Sequence, residues 1–163
     1  MTSEPLTDRR YPANPDLVKV DAAVFHPRKV THVALVAEDF ERMFDYYVDI
    51  IGLEALTGSR TAASAVLRGT ASDGDVTLYR KAGGLAAGLH HVGFEVWNES
   101  DLKRSITALP GKGLKVEREI DHPARHSIMI RDPDGLRLQF FVNRDWAPPV
   151  IAKAAQDEAL YLL

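Results

Sequence analysis

The sequence predicts an α+β fold in which two tandem βαβββ modules form one cupped, barrel-like mixed sheet with helices on its outer side. Two observations predict it. The order of one strand, one helix and three short strands occurs twice, and the strands that open the two copies carry His32 and His91, which are 59 positions apart. The glycines that end the two helices, Gly52 and Gly113, are 61 positions apart. A nearly constant spacing through both elements is typical of a diverged repeat.

The first copy begins with residues 30–36, whose β-branched and apolar residues indicate a strand. A helix is predicted over 38–51, because apolar side chains recur there at helical spacing, and Gly52 follows it as a left-handed cap would. Turn residues separate three further short strands, which are predicted near residues 53–58, 63–68 and 75–80.

The second copy restarts with the strand 90–96. A second helix is predicted over 100–109, since Leu102, Ile106 and Leu109 share one face, and Pro110 stops it. Residues 132–135, Asp-Pro-Asp-Gly, form a turn by their composition. They join the last two of three further strands, which are predicted near residues 114–119, 126–131 and 136–142.

The chain divides into an arm, a single domain and an extension. Residues 1–28 are polar and punctuated by prolines, so we expect an arm that lies on the domain or is partly disordered. The domain is predicted over 29–145, with modules at about 29–82 and 88–145, and the C-terminal extension covers 146–163. The end of this extension suggests a short helix that packs on the domain or on a partner chain.

Composition limits the chemistry. The chain has no cysteine, which excludes disulfides, thiolate nucleophiles and cysteine-ligated metals. Any metal must therefore take histidine, carboxylate or amide ligands. The net charge is −3 and the lysines and arginines are scattered among acidic residues, which argues against nucleic acid as a partner. No apolar run suggests a signal peptide or a membrane span, so we expect no membrane contact and a cytoplasmic location.

Strand alternation separates two faces of the predicted sheet. The set expected to face the helices is apolar: Val33, Leu35, Val76, Leu78, Val92, Phe94, Val96, Leu138, Phe140 and Val142. The opposite set mixes small and polar residues as a pocket does: His32, Ala34, Thr77, Tyr79, His91, Gly93, Arg137, Gln139 and Phe141. The same alternation assigns His91 to the pocket and excludes its neighbour His90.

The stretches HVALVAEDFERMFDYYVDIIGLE, HHVGFEV and RDPDGLRLQFF, in this order and spacing, resemble the vicinal oxygen chelate superfamily. That family includes glyoxalase I, extradiol dioxygenases, methylmalonyl-CoA epimerase and bleomycin resistance proteins. The resemblance implies a divalent metal on the concave side of the sheet, with His32 and His91 as ligands. The third ligand is usually a glutamate, and this chain has Gln139 there, either as a weak ligand or as a group that hydrogen-bonds the substrate.

Loss of the carboxylate charge matters for metal affinity, because a charge pair about 4 Å apart is worth on the order of 4 kcal/mol at an effective dielectric near 20. Two histidines and an amide oxygen can still bind Fe(II), the favoured ion, or Mn(II) or Zn(II). The alternative is that the site holds no metal.

The resemblance extends to the segment Ala124–Arg125–His126, which is similar to the Arg-His segment of extradiol dioxygenases and implies an acid-base role for His126, expected on a loop. By facing, Tyr79, Thr77, Arg137 and Phe141 are the candidate substrate-binding residues. Arg137 is expected to pair with an anionic substrate or with Glu95.

Three functions follow from these expectations. The leading one is a metal-dependent, extradiol-type ring-cleaving dioxygenase that acts on a catechol-like substrate. The second is a metal-free or weakly metal-binding protein that binds a small molecule, as resistance proteins of the superfamily do. The third is a glyoxalase- or epimerase-type lyase or isomerase. In each case we expect a small, aromatic ligand and a homodimer.

Overall fold

The computed structural model describes residues 23–72, 74–145 and 160–161. Most of the predicted arm and of the C-terminal extension, with its suggested helix, lies outside these residues. Within them, no helix is long and apolar enough to cross a membrane.

The first module follows the predicted order. Its helix begins after Asp39, whose side chain accepts a hydrogen bond from the backbone N–H of Arg42 at 3.1 Å. The single helix predicted over 38–51 is an α-helix that continues as a short π-helix, and Gly52 follows with φ of 81°. The elements are β1 (Lys29–Ala37), α1 (Phe40–Asp45), the π-helix (Tyr46–Ile50), β2 (Glu54–Ala55), β3 (Ser64–Arg68) and β4 (Val76–Arg80).

The second module repeats that order. The predicted turn is confirmed, because Asp132 accepts hydrogen bonds from the backbone of Asp134 and Leu136 while Gly135 takes a φ of 89°. The strand predicted over 114–119 begins only at Arg118. The elements are β5 (Gly88–Glu95), α2 (Glu99–Ala108) with a 3₁₀ turn (Leu109–Lys112), β6 (Arg118–His122), β7 (Arg125–Arg131) and β8 (Arg137–Asn143).

The eight strands of the described residues form one open mixed sheet in the order β2-β3-β4-β1-β5-β8-β7-β6. The opening strands of the two modules, β1 and β5, pair antiparallel at its centre, and each pairs parallel with the last strand of its own module, β4 or β8. The arrangement around the centre is therefore the same in both halves. The predicted α+β class with two tandem modules is confirmed.

The helices cover one face of the sheet, as the alternation predicts. Phe40 and Phe44 of α1 pack with Val76 and Leu78, and Leu102 of α2 packs with a second cluster. That second cluster contains Val96, Leu109, Ile128, Ile130 and Phe140. At the end of the arm, Phe25 stacks on Phe140 with ring centroids 3.7 Å apart. The other face, called the concave face below, is free of α1 and α2 and carries the predicted pocket residues.

Candidate functional site

Three of the predicted residues meet at the centre of the concave face. His32 of β1 pairs across the sheet with Gly93 of β5, and Gly93 pairs in turn with Gln139 of β8. His91 lies two residues before Gly93, on the same side of the strand. Because Gly93 has no side chain, the three larger side chains share the space above it. His32 is 6% exposed, and His91 and Gln139 are fully buried.

The His32 ring lies directly against the backbone of Gly93, which is possible because glycine has no side chain. A Cβ at Gly93 would lie 2.2 Å from Cε1 of the His32 ring, far inside van der Waals contact. The His32 imidazole therefore occupies the volume that any other residue at position 93 would fill. The expectation that small residues leave room on this face is met at this position.

The rings of His32 and His91 point their Nε2 atoms at each other. Their Nε2 atoms are 3.4 Å apart. Two nitrogens at that distance, each bonded to one ion at about 2.1 Å, would subtend an angle of about 108°, close to that of a tetrahedral site. Among the described residues, no three histidine, aspartate or glutamate side chains are grouped to hold a metal. The predicted third donor, the amide oxygen of Gln139, is not of a residue type included in such a group.

A β-bulge precedes each of these histidines. The β1–β5 register shifts between Val30 and His32 and again between Ala34 and Leu35, which leaves Thr31 and His90 as the extra residues. Each extra residue contacts Nδ1 of the histidine after it, at 2.8 Å in both modules: Thr31 Oγ1 with His32, and His90 Nδ1 with His91. The repeat thus supplies both histidines with a partner on the ring nitrogen that faces away from the pair.

The Thr31 hydroxyl lies 2.8 Å from Nδ1 of His32 and can donate to the backbone carbonyl of Gly93 at 3.2 Å. With that donation its oxygen accepts from Nδ1, and this arrangement corresponds to the tautomer in which Nε2 of His32 is bare and directed at His91. A bare Nε2 is the form of imidazole that binds metal ions.

The prediction that His90 shares the helix-facing side of the sheet is wrong. Its ring centroid lies 5.2 Å from that of His91, and the His90 side chain is 6% exposed. The physical reason is the bulge, which turns two successive side chains towards one side and breaks the alternation. Nε2 of His90 is buried and has no hydrogen-bond partner among the described residues.

Gln139 presents its amide oxygen to the histidines. Its Nε2 donates to the backbone carbonyl of Tyr161 at 2.6 Å. Its Oε1 is buried and has no hydrogen-bond partner among the described residues. Gln139 lies close to His32, where it partly offsets the lowering of the His32 pKa by burial. A buried amide oxygen beside two imidazole nitrogens offers lone pairs that fit the coordination of a divalent cation.

Both histidines are held in the neutral form. Burial, and then the charge of Arg125, lowers the pKa of His32 from 6.5 to about 3. Burial also lowers the pKa of His91 well below its usual value, followed by the neighbouring His32 and His90. At neutral pH both rings therefore keep an unprotonated nitrogen, which metal binding requires.

This neutrality makes the stability of the metal-free protein depend on pH. The folded pKa of His32 lies below its unfolded value, so protons bind the unfolded chain preferentially. The contribution of His32 is full above about pH 6.5 and is lost as the pH falls towards about 3. Urea unfolding between pH 7 and pH 4 should show this loss. The slope should be shallower in His32→Gln by about 1.4 kcal/mol per pH unit, and an unchanged slope would contradict the depressed pKa.

A pocket adjoins His32 on the concave face. Its cavity of about 180 Å³ is slightly larger than an apolar cavity of about 150 Å³ that holds one benzene ring. Among the predicted substrate-binding residues, Thr77 and Phe141 line it, and the ring of Phe141 lies 5.8 Å from that of His32. Tyr79 is buried beside it in the cluster of Val36, Val66 and Ala124, where burial raises its pKa. The pocket therefore offers space for one aromatic ring next to the histidines.

Arg125, which was not among the predicted site residues, is a buried cation of this pocket. Its guanidinium lies 3.8 Å from the centre of the Phe141 ring, and its Nε donates to Oδ1 of Asn143 at 2.8 Å. Burial lowers its pKa to about 9, which leaves it charged at neutral pH. The alternation of β7 carries the signal, since Ile128 and Ile130 face the helices and the odd-numbered positions face the pocket.

His126 lies on the other side of the sheet. It is the second residue of β7 and not part of a loop, and it shares the face of Ile128 and Ile130. Its Nδ1 contacts Glu99 at 2.6 Å and its Nε2 contacts Glu119 at 2.7 Å. The expectation that this ring reaches a substrate beside His32 and His91 is therefore wrong, because strand alternation turns it away.

Arg137 also lies apart from the pocket. Its Nε pairs with Glu117 at 2.8 Å. Glu95, the alternative partner, contacts Arg28 at 3.8 Å and Lys29 at 3.6 Å. The predicted alternative in which Arg137 pairs with Glu95 is wrong. Glu117, which also accepts a hydrogen bond from Arg131 of β7, pairs with Arg137 in its place.

A cupped sheet of two βαβββ modules with a histidine pair at its centre defines the class of protein. The family model of the glyoxalase/bleomycin resistance protein/dioxygenase superfamily matches residues 29–140, and the chain belongs to this family. A search of curated proteins finds no significant match.

Solved structures with the same fold include three that we compare with this chain. An extradiol ring-cleaving dioxygenase from B. fuscum aligns with a TM-score of 0.62 at 21% identity, over 72% of this chain and 33% of its own. A complex of homoprotocatechuate 2,3-dioxygenase from Brevibacterium fuscum with 3,4-dihydroxyphenylacetate aligns with a TM-score of 0.61 at 21% identity, over 71% and 36%. The Mn(II)-bound glyoxalase from Novosphingobium aromaticivorans aligns with a TM-score of 0.62 at 18% identity, over 82% and 44%. The chain thus spans less than half the length of each of these proteins.

Proposed function

We propose that this protein is a metal-dependent, extradiol-type ring-cleaving dioxygenase that acts on a small catechol-like substrate. The observation that carries the proposal is the facing pair of Nε2 atoms of His32 and His91 at 3.4 Å, next to the buried Oε1 of Gln139. These three residues would hold the divalent metal, with Fe(II) preferred and Mn(II) or Zn(II) as alternatives. When bound, the metal would supply chelation of two neighbouring oxygens and activation of O₂.

The residues around His32, His91 and Gln139 orient these side chains and keep the histidines neutral. Thr31 and His90 hold the outward ring nitrogens of the two histidines, which fixes the direction of both imidazoles. Burial excludes water from the pair and keeps both rings neutral. No charge has to be removed from either histidine before it binds a cation.

The adjoining pocket would orient the substrate. Phe141 forms an aromatic wall, and Thr77 supplies a hydroxyl near the opening. The buried guanidinium of Arg125 places a positive charge at this pocket, which Lys29, Asp75 and Glu95 also line, and after burial this charge contributes to the low pKa of His32. A catechol that loses a proton becomes an anion, and the Arg125 charge would favour that anion over the neutral diol.

A second function is favoured by the position of His126. The histidine that the family resemblance assigns to proton transfer faces the helices, and the third donor is a neutral amide. Both features suit a protein that binds an aromatic ligand with weak metal affinity or none. The glyoxalase- or epimerase-type alternative rests on the fold shared with the Mn(II)-bound glyoxalase. Homodimer assembly and a cytoplasmic location stay predictions from the sequence.

Anaerobic reconstitution with Fe(II), followed by addition of O₂ and a panel of catechols, tests the dioxygenase. We expect one O₂ consumed per catechol and the yellow ring-opened product, with 3,4-dihydroxyphenylacetate and catechol itself as the first substrates. Reconstituted protein that binds these catechols without consuming O₂ would favour the binding protein. His126→Gln should keep the activity, because this residue lies on the other face.

Replacing Arg125 by methionine should weaken catechol binding. Arg125→Met keeps an apolar chain on Phe141 and removes the charge. We expect affinity for the catechol to fall by about 10- to 100-fold, the range for one hydrogen bond to a charged group. Calorimetric titration of anaerobic protein measures it. Arg104→Met, at an exposed arginine of α2 that pairs with Asp101, is the matched control and should bind normally.

A further inference from the structure

Two residues near the C-terminus, Leu160 and Tyr161, lie against the concave face and are called the C-terminal contact below. Leu160 is 4% exposed and packs with Val36, Val66, Tyr79 and Ala124. The Tyr161 ring lies 5.5 Å from the ring of His90 and 4.5 Å from the guanidinium of Arg118. The C-terminal contact therefore covers part of the concave face beside His90, and it shares Val66 with the lining of the pocket at His32.

The backbone carbonyl of Tyr161 accepts two hydrogen bonds from the floor of that face. Nε2 of Gln139 donates at 2.6 Å and Oγ of Ser127 donates at 2.9 Å. A carbonyl oxygen can only accept, so the side of the Gln139 carboxamide that faces it must be the NH₂ group. The amide oxygen is then turned to the opposite side, where His32 and His91 lie.

We infer that the carbonyl of Tyr161 sets the orientation of the Gln139 side chain, and that the C-terminal contact requires an amide at position 139. This deepens the proposed function and rests on it for the role of Oε1 as a metal donor. The reason is the number of donors. A carboxylate has none, so its second oxygen would face the Tyr161 carbonyl oxygen at hydrogen-bond distance with no proton between them.

Glutamine at position 139 thus has a physical reason. A glutamate would bind a divalent cation more strongly but would repel the C-terminal contact, whereas glutamine keeps the C-terminal contact in place and supplies a neutral donor oxygen. Tyr161 is therefore a positioning residue that acts through its main chain. Its backbone carbonyl, and not its side chain, orients the Gln139 amide.

Hydrogen–deuterium exchange of the metal-free, full-length protein tests this inference directly. The C-terminal peptide should be protected in the wild type. Exchange should accelerate about tenfold or more in Gln139→Glu, since the carbonyl loses a hydrogen bond and gains a repulsive neighbour. Gln139→Met, which removes the donor without adding charge, should give an intermediate rate. Equal protection of the C-terminal peptide in all three proteins would overturn the inference.

A milder variant keeps the test decisive if Gln139 variants fold poorly. Ser127→Ala removes the other donor to the same carbonyl and should raise the exchange of the C-terminal peptide by a smaller factor. Wild-type exchange in this variant would show that the carbonyl is not held as the structure has it, and would count against the inference.

Side-chain NMR reports the orientation of the amide itself. The Gln139 NH₂ signals, assigned by their absence in Gln139→Glu, should exchange slowly with water in the wild type and rapidly in Leu160→Asp, which places a charge in the buried cluster of the C-terminal contact. Leu114→Asp, at a leucine that is 38% exposed, is the matched control and should leave them unchanged. Slow exchange in Leu160→Asp would contradict the role of the C-terminal contact.

Metal titration separates this inference from the proposed function. With Co²⁺ as the probe, Leu160→Asp should bind about 10- to 100-fold more weakly than the wild type, as expected when a group that orients a ligand is lost. Equal affinity would count against the inference. Wild-type protein that binds no Co²⁺ would contradict the metal site, while the exchange rates, measured without metal, would still decide whether Tyr161 orients Gln139.

Discussion

Replacing His91 by alanine is expected to abolish stoichiometric metal binding and, with it, any ring cleavage. His91 is fully buried, and its Nε2 is one of the two facing nitrogens of the candidate site. The loss leaves one imidazole and one amide oxygen, which is too few donors for a divalent ion. We expect affinity to fall by more than about 100-fold, since removing only a supporting partner of a ligand costs about 10- to 100-fold.

Metal content after dialysis, measured by mass spectrometry on the reconstituted protein, gives this result. His26→Ala is the matched control, because His26 is exposed and should leave the metal content unchanged. A His91→Ala protein that folds and retains one metal per chain would show that the site lies elsewhere.

Replacing Gly93 by alanine is expected to destabilise the protein and to disrupt the histidine pair at the same time. The new Cβ would lie 2.2 Å from Cε1 and 2.6 Å from Nδ1 of His32, so the ring must leave its position. Forcing one extra carbon into a packed site costs about 1–3 kcal/mol of folding free energy. Because the displaced ring is a candidate ligand, metal affinity should fall as well.

Chemical denaturation and metal titration of the same sample measure the two effects. Gly84→Ala serves as the control, since a Cβ there meets nothing within 4 Å. Its stability and metal affinity should match the wild type. Unchanged stability in Gly93→Ala would mean that the His32 ring moves without cost, and would contradict a tightly packed site.

The architecture and the centre of the site could be predicted because they depend on local pattern. The repeat spacing of His32 and His91 identified two equivalent strands, and alternation in β4 and β8 assigned Tyr79, Gln139 and Phe141 to the concave face. These signals survive because side chains in regular strands keep a period of two.

Prediction failed where the regular pattern is interrupted. A bulge at His90 brings that residue to the concave face, and nothing in the sequence marks the extra residue. In β7 the true strand begins one residue before the predicted one, so Arg125 lies inside the element and points to the pocket, while His126 points to Glu99. Strand alternation in β7 identifies Arg125 as the pocket residue, whereas the family resemblance pointed to its neighbour His126.

The contact of Tyr161 with Gln139 could not be predicted from local pattern at all. The two residues are 22 positions apart, and the interaction uses a main-chain carbonyl, which every residue carries. Only the three-dimensional arrangement shows that an amide, and not a carboxylate, has the proton that this carbonyl needs.

Anomalous diffraction from crystals of the Mn²⁺-loaded protein tests the metal site most directly. We expect one strong anomalous peak per chain, bonded to Nε2 of His32, Nε2 of His91 and Oε1 of Gln139, at the edge of the pocket that holds Arg125. A peak bonded to other residues, or crystals grown in excess Mn²⁺ with no peak between the two histidines, would contradict it.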